Sequence, residues 1–359
     1  NIGQPDIETP KPVRDAIRNA DFTILEYTHS AGLESYRKKL AGYYHSVGID
    51  VNHNQIIITT GGSEAILFGF MACLDPGDEV IIPTPYWVSY SEMAKLIEGV
   101  PVFINATVEQ QYKINAQQLE AAITPKSKLF IFSSPCNPTG SVYSKQELAD
   151  LVAVFEKHPD IYIISDEIYE FINFVGKHES IGQFDSIKDR VITINGLSKG
   201  YAMTGWRLGY LAAHPTITKA CEKIQSQFTS ATSSITQKAA VAALNGDMKP
   251  SEAMVDAFKR RRELILNEVK NIPNWICNNP DGAFYLFPDV SYYFGKSVGG
   301  ITINTATDFC MYLLHHAHVS MVTGEAFGAP QCVRMSYATS DEKIVEAMRR
   351  VKVALDKLN

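Results

Sequence analysis

Apolar residues in this chain gather into short unbroken runs separated by stretches of mixed polarity. The runs 55-QIIIT-59, 79-EVII-82, 128-KLFIFS-133, 161-IYIIS-165 and 190-RVITIN-195 are rich in β-branched residues. They lack the apolar/polar alternation of a half-exposed strand, so they predict strands buried on both faces. Between them, 61-GGSEAILFGFMACL-74 predicts a helix that stops at the turn 75-DPGD-78. Segment 144-SKQELADLVAVFEKH-158 predicts another, whose Ser144 and Glu147 have the spacing of a capping box. Strands alternating with helices imply an α/β fold, a mostly parallel central sheet flanked by helices.

The texture changes near residue 250. A long charged helix is expected over 251–271, then a mixed stretch containing 283-AFYLFP-288, a helix near 304–317, 332-CVRMSYA-338 and a last amphipathic helix from Asp341. This pattern predicts a smaller α+β unit. No internal repeat or low-complexity linker is visible.

Composition narrows the function classes. With 359 residues, two domains are the natural count. Hydrophobic residues at 45% and charged residues at 20% exclude a disordered chain. The balance of 33 basic against 39 acidic residues leaves −6, so no net basic field collects nucleic acid or anionic lipid. The apolar runs are too short to span a bilayer, and no signal-peptide pattern follows Asn1. Cys73, Cys136, Cys221, Cys277, Cys310 and Cys332 are scattered without zinc spacing. Reduced, mostly buried thiols and a cytoplasmic location are the expectation.

Several motifs compete for the chemistry. Segment 196-GLSKG-200 fits G-x-S-x-G after a predicted strand, which would make Ser198 the nucleophile of a serine hydrolase. Asp308 with His315, His316 or His318 could complete a triad. The fragment 295-GKS-297 lacks the first glycine of a phosphate loop. The three histidines fit no standard zinc spacing, so no metal is expected.

The longer stretch 196-GLSKGYAMTGWRLG-209 is more specific. Lys199 follows a strand, bracketed by Gly196, Ser198 and Gly200, and Arg207 comes eight positions later. Small neighbours let a bulky partner approach the backbone. This stretch resembles the pyridoxal-phosphate attachment site of class I and II aminotransferases, of fold type I. Further segments keep the family's order. They are 1-NIGQPD-6, 27-YTHSAGLESYRKKL-40, 60-TGGSEAI-66, 83-PTPYW-87, NPTG within 133–140, 163-IISDEIYE-170 and 332-CVRMSYA-338. The TPYWVSY and GWRLGY segments look most like bacterial subgroup I aspartate aminotransferases.

The resemblance implies pyridoxal 5'-phosphate as cofactor, bound by Lys199 as a Schiff base. Asp166 would pair with its ring nitrogen, Tyr169 and Asn137 would donate to its ring oxygen, and Trp87 would stack on the ring. Its phosphate would sit on the N–H groups of Gly62, Ser63 and Glu64, with Arg207 and the Ser63 hydroxyl adding donors. Tyr27 would reach the phosphate site of a neighbouring subunit, which implies a homodimer. Arg334 would clamp the substrate carboxylate, with Gly3, Trp87 and Asn137 also near the substrate. Lys199 would then carry a proton as general base and acid.

The activity so implied is ping-pong transamination between an amino acid, aspartate or a similar one, and the keto acid 2-oxoglutarate. A C–S β-lyase or a broad or aromatic aminotransferase could use nearly the same residues. Some relatives bind the distal carboxylate through a lysine in the phosphate loop, where this chain has Ser63; that partner is therefore unassigned. Tyr285 fits either the substrate pocket or the core. The expected layout is a large cofactor domain over 20–250 and a discontinuous small domain from 1–19 and 251–359. Because Gly3 already falls in a site segment, the family's N-terminal arm is expected to precede Asn1.

Overall fold

The computed structural model describes residues 3–21 and 23–359. Its central element is a seven-stranded sheet. In chain order the strands are β1 (Ile56–Thr59), β2 (Glu79–Thr84), β3 (Val100–Asn105), β4 (Ser127–Ser133), β5 (Tyr162–Asp166), β6 (Val191–Gly196) and β7 (Gly209–Ala212). Their spatial order is β1-β7-β6-β5-β4-β2-β3. The pairs β2/β3, β2/β4, β4/β5 and β5/β6 are parallel, and β7 runs antiparallel to both β6 and β1.

The apolar runs lack alternation because both sheet faces are covered. Leu129 and Ile131 of β4 pack with Ile164, Ile192 and the helix Gly62–Cys73 through Ala65, Ile66 and Phe68. Phe130 and Phe132, one residue out of phase, pack on the other face against Leu148, Leu151 and Phe155 of helix Lys145–Phe155. Successive strand side chains point to opposite faces, so a run apolar at every position is the signature of two cores. The capping box forms as expected: Ser144 Oγ accepts from Glu147 N at 3.3 Å, and Glu147 Oε2 accepts from Ser144 N at 2.8 Å.

The five predicted strands appear, each within a few residues of its expected bounds. Two strands were not expected. β3 carries Pro101 and leaves Val100 and Phe103 exposed; it pairs only with β2, and an edge tolerates both features. β7 is only four residues and opens on glycine, too little pattern to register.

Beyond residue 250 lies a three-stranded antiparallel sheet. Val333–Ser336 is flanked by Val322–Thr323 and Tyr285–Leu286. Helices Lys249–Val269, Ala306–Ala317 and Asp341–Leu355 bury Phe258, Ile265, Phe309, Leu313, Met348 and Val351 in one cluster with Phe284 and Leu286. The N-terminal stretch touches both parts. Asp6 accepts two hydrogen bonds from Arg261, at 2.6 and 3.1 Å. Val13 of helix Lys11–Arg18 packs with Tyr36, Tyr210 and Ala240.

All six cysteines are unpaired, and four of them are buried. His315, His316 and His318 are exposed at the end of helix Ala306–Ala317, where His318 adopts a left-handed conformation. Among the described residues no helix is long and apolar enough to cross a membrane.

Candidate active site

The carboxyl ends of the parallel strands converge on one cavity of about 460 Å³. This edge is where open α/β sheets bind ligands, because the loops there diverge and helix N-termini point inward. Of the residues singled out above, Gly3, Gly62, Ser63, Trp87, Asn137, Asp166, Tyr169, Ser198, Lys199, Arg207 and Arg334 all line it. Glu64 and Tyr27 do not. The Glu64 carboxylate folds back to accept from Thr60 N at 2.6 Å, and Tyr27 is 93% exposed.

One end of the cavity is built for an anion. After β1 the chain turns at Gly61, φ +87°, and enters helix Gly62–Cys73, whose first turn has no side-chain cap. Those N–H groups are left for an incoming acceptor. A Cβ on Gly61 would collide with the Arg207 guanidinium, which Thr204 O holds through Nη1 at 2.9 Å. Gly209 opens β7 directly against the Gly61–Gly62 backbone, a contact that leaves no room for a side chain.

At the floor, Asp166 ends β5. Its Oδ2 accepts from the Tyr90 hydroxyl at 2.6 Å and its Oδ1 from Ile168 N at 3.2 Å. Burial pushes this carboxyl up to about 6, while the Tyr90 and Ile168 bonds pull the other way. Lys199 follows β6 and donates to the Gly3 carbonyl. Its ammonium lies 5.6 Å from the Tyr169 ring centre and 5.9 Å from that of Phe284. Burial, reinforced by the positive charge of Arg334, brings its pKa down to about 8; Asp166 opposes this.

Arg334 comes from the central strand of the small sheet, in register with Val322. Its guanidinium carbon lies 4.6 Å from the Tyr285 ring centre and 4.9 Å from that of Phe327. Cation–π attraction from both rings thus helps hold the guanidinium in place. Nη1 donates to Asn137 Oδ1 at 2.9 Å. The Tyr285 hydroxyl meets that of Tyr169 at 2.6 Å. Tyr285, unresolved between pocket and core by sequence, is therefore both: fully buried and part of the cavity wall.

Sequence reasoning missed Tyr90, Ser133, Thr204 and Phe327, which also line the cavity. The one local signal was Tyr90 three residues after Trp87, which the turn closed by Tyr90 N on Trp87 O at 2.9 Å brings side by side. Phe327 is brought in by long-range contacts of its turn, whose Phe327 carbonyl accepts from Tyr86 N at 3.1 Å.

The rival hydrolase arrangement around Ser198 does not form. Asp308 sits at the start of helix Ala306–Ala317, its carboxylate accepting from Asn304 N and Thr305 N at 3.0 and 3.1 Å. The candidate histidines lie at the far end of that helix, and no described residue lining the cavity is a histidine. Behind the site, Glu167, Glu170 and His178 bring ligand atoms within 4.8 Å of one another. Burial disfavours the His178 cation, but Glu167 and Glu170 outweigh it and its pKa rises. His178 Nε2 lies 3.1 Å from Glu167 Oε2, so the three groups form a largely buried acid–base cluster.

Comparison with known proteins agrees with this geometry. The family model described as aminotransferase class I and II matches residues 1–351. A bifunctional aspartate aminotransferase and glutamate/aspartate-prephenate aminotransferase of Petunia hybrida is 42% identical, covering 98% of this chain and 75% of that protein. The crystal structure of the aspartate aminotransferase from Rhizobium meliloti superposes with a TM-score of 0.96 at 40% identity, covering 100% of this chain and 91% of that one. The aromatic aminotransferase from Pyrococcus horikoshii gives 0.93 at 36%, covering 99% and 95%. The fold type I architecture expected from the attachment-site resemblance is the one found. The chain belongs to the aminotransferase class I and II family and is an aminotransferase.

Proposed function

We propose that the chain uses pyridoxal 5'-phosphate to move an amino group from aspartate or a similar acidic amino acid to 2-oxoglutarate, in ping-pong order. The observation that carries this reading is the convergence of Lys199, Asp166, Arg207 and Arg334 on one cavity. The residues fit the cofactor. The uncapped helix start with Arg207 suits a phosphate, and the buried Asp166 carboxyl suits a protonated ring nitrogen. Ser133, buried in the wall beside Tyr90, adds a hydroxyl to the cavity lining. When bound, the cofactor supplies an electron sink for the Cα–H bond of the substrate.

The protein's own groups do the rest. Arg334, held beside the Tyr285 and Phe327 rings, binds the α-carboxylate by a two-bonded fork. Asn137 Oδ1 is taken by Arg334, which leaves its amide N–H for the cofactor's ring oxygen. The Tyr169 hydroxyl, placed by Tyr285, serves the same oxygen. Lys199, with a pKa near 8, has a substantial neutral fraction at physiological pH and can take and return the Cα proton. The aromatic walls keep water from competing for these charges.

Three coarser proposals accompany this one. A homodimer is supported by Ile24, Leu25 and Tyr27, which are 74%, 44% and 93% exposed and would be covered by a second copy. Unpaired cysteines support a cytoplasmic location. The two-unit division, 20–250 against 1–19 with 251–359, is supported by the two separate sheets and by the Asp6–Arg261 pair; helix Lys11–Arg18 bridges to the larger unit.

A second reading, an aromatic amino donor, is favoured by the apolar wall of Val88, Val322, Ala326 and Phe327. Adding pyridoxal phosphate should give a visible absorbance band, and borohydride should fix it on Lys199. A panel of donors with 2-oxoglutarate then decides among acidic, aromatic and lyase chemistry. A protein that stays colourless overturns the cofactor assignment; pyruvate and ammonia from cystathionine, without keto acid from any donor, would establish the lyase.

A further inference from the structure

Tyr90 has no assigned role, yet it holds the most demanding group in the site. Its hydroxyl donates to Asp166 Oδ2 at 2.6 Å, a short charge-assisted bond. Both groups are buried, Tyr90 at 1% exposure and Asp166 at 6%. A carboxylate out of water keeps its charge only where donors replace the lost hydration. Asp166 has two such donors, the Tyr90 hydroxyl on one oxygen and the Ile168 N–H on the other, so its plane is fixed from both sides. The other ionisable groups facing it are Lys199 and Tyr169 across the cavity, Cys136 beside it and Glu167 behind.

Tyr90 also touches the second element proposed to hold the cofactor ring. Its ring meets Trp87 edge-on, centres 5.5 Å apart at 86°. The two residues share the first turn after β2, and Tyr90 is anchored in the large core beside Ile66 and Ile164. One rigid side chain therefore ties the aromatic wall to the carboxylate floor.

We propose that Tyr90 is a positioning residue for the reaction: its hydroxyl aims the Asp166 carboxylate, and holds it charged, toward the cofactor's ring nitrogen. This rests on the cofactor reading above. Tyr90 need not touch substrate, so its contribution enters through the cofactor and not through substrate binding.

The test uses the loaded enzyme and Tyr90→Phe, which keeps the ring, its burial and the Trp87 contact while removing the hydroxyl. Losing one hydrogen bond to a charged group should weaken cofactor affinity about tenfold, read by quenching of Trp fluorescence as pyridoxal phosphate is added to cofactor-free protein. The midpoint of the pH titration of the visible band should move upward. A ring proton held less firmly repels a proton on the lysine-linked nitrogen less. Turnover should fall about tenfold while KM for the amino donor changes less than about twofold. In an Asp166→Asn background the same substitution should have almost no further effect, because the pair acts as one unit.

Equal affinity, midpoint and turnover in Tyr90→Phe and wild type would overturn the proposal. So would full additivity with Asp166→Asn, which also exposes a merely structural effect of the substitution. Wild-type protein that takes up no cofactor would instead overturn the functional reading itself, and this inference with it.

Discussion

Lys199 offers a direct test of the electrostatics of the site. Its amine is buried, faces Arg334 and has its pKa brought from 10.5 to about 8. At about 1.4 kcal/mol per pH unit, keeping the ammonium form in this place costs the folded protein about 3 kcal/mol. Between about pH 8 and 10.5 the unfolded chain binds this proton and the folded chain does not. Stability contributed by this group therefore rises with pH across that window and is level below it.

Replacing Lys199 with Met keeps most of the apolar stem and removes the charge. In cofactor-free protein at pH 7, Lys199→Met should be more stable than wild type by up to about 3 kcal/mol, less the lost bond to the Gly3 carbonyl at about 1 kcal/mol. The gap should close as pH rises from 8 toward 10.5. Urea midpoints measured for both proteins across that range give the difference directly. A gap that does not change with pH, or a variant less stable at pH 7, would refute the claim that a buried, repelled ammonium is stored here. Such a group is readied as a nucleophile because the fold raises the fraction of its neutral form.

Three further outcomes follow from the same geometry. Arg334→Lys keeps the charge but loses the planar fork between Tyr285 and Phe327, so kcat/KM for amino donors should fall about 10²-fold with the cofactor band unchanged; an unaffected kcat/KM would remove Arg334 from substrate binding. Ser198→Ala should cost no more than about tenfold in turnover, one hydrogen bond's worth, whereas a loss near 10³-fold or beyond would revive Ser198 as a nucleophile. Gly209→Ala forces a Cβ into the Gly61–Gly62 backbone and should lower stability by about 1–3 kcal/mol and weaken cofactor binding, seen by thermal melting and by titration; a neutral result would mean the loop can move aside.

Much of the site was legible in the chain because its key residues ride on local structure. Lys199, Asp166 and Asn137 each follow a strand that its own run of apolar residues predicts. The helix starting at Gly62 announces itself by glycines before an apolar stretch. What escaped was contributed by partners distant in sequence. Tyr90 gains a role only because Asp166, 76 positions away, ends the fifth strand beside it. Phe327 gains one only because its turn packs on Arg334. The serine-hydrolase alternative survived on sequence for the same reason: the order Ser198, Asp308, His315 says nothing of where those residues end up.

By itself the sequence determined the α/β class, because runs apolar at every position can satisfy only a sheet covered on both faces. It also determined most of the cofactor-handling set, because those residues need nothing beyond a strand end or a helix start. The tertiary structure alone decided how those groups are tuned. Burial pulls Lys199 down and pushes Asp166 up, and Tyr285 joins Tyr169 to Arg334 across the two sheets. Desolvation and charge pairing depend on what surrounds a group in space, and those neighbours come from segments up to two hundred residues apart.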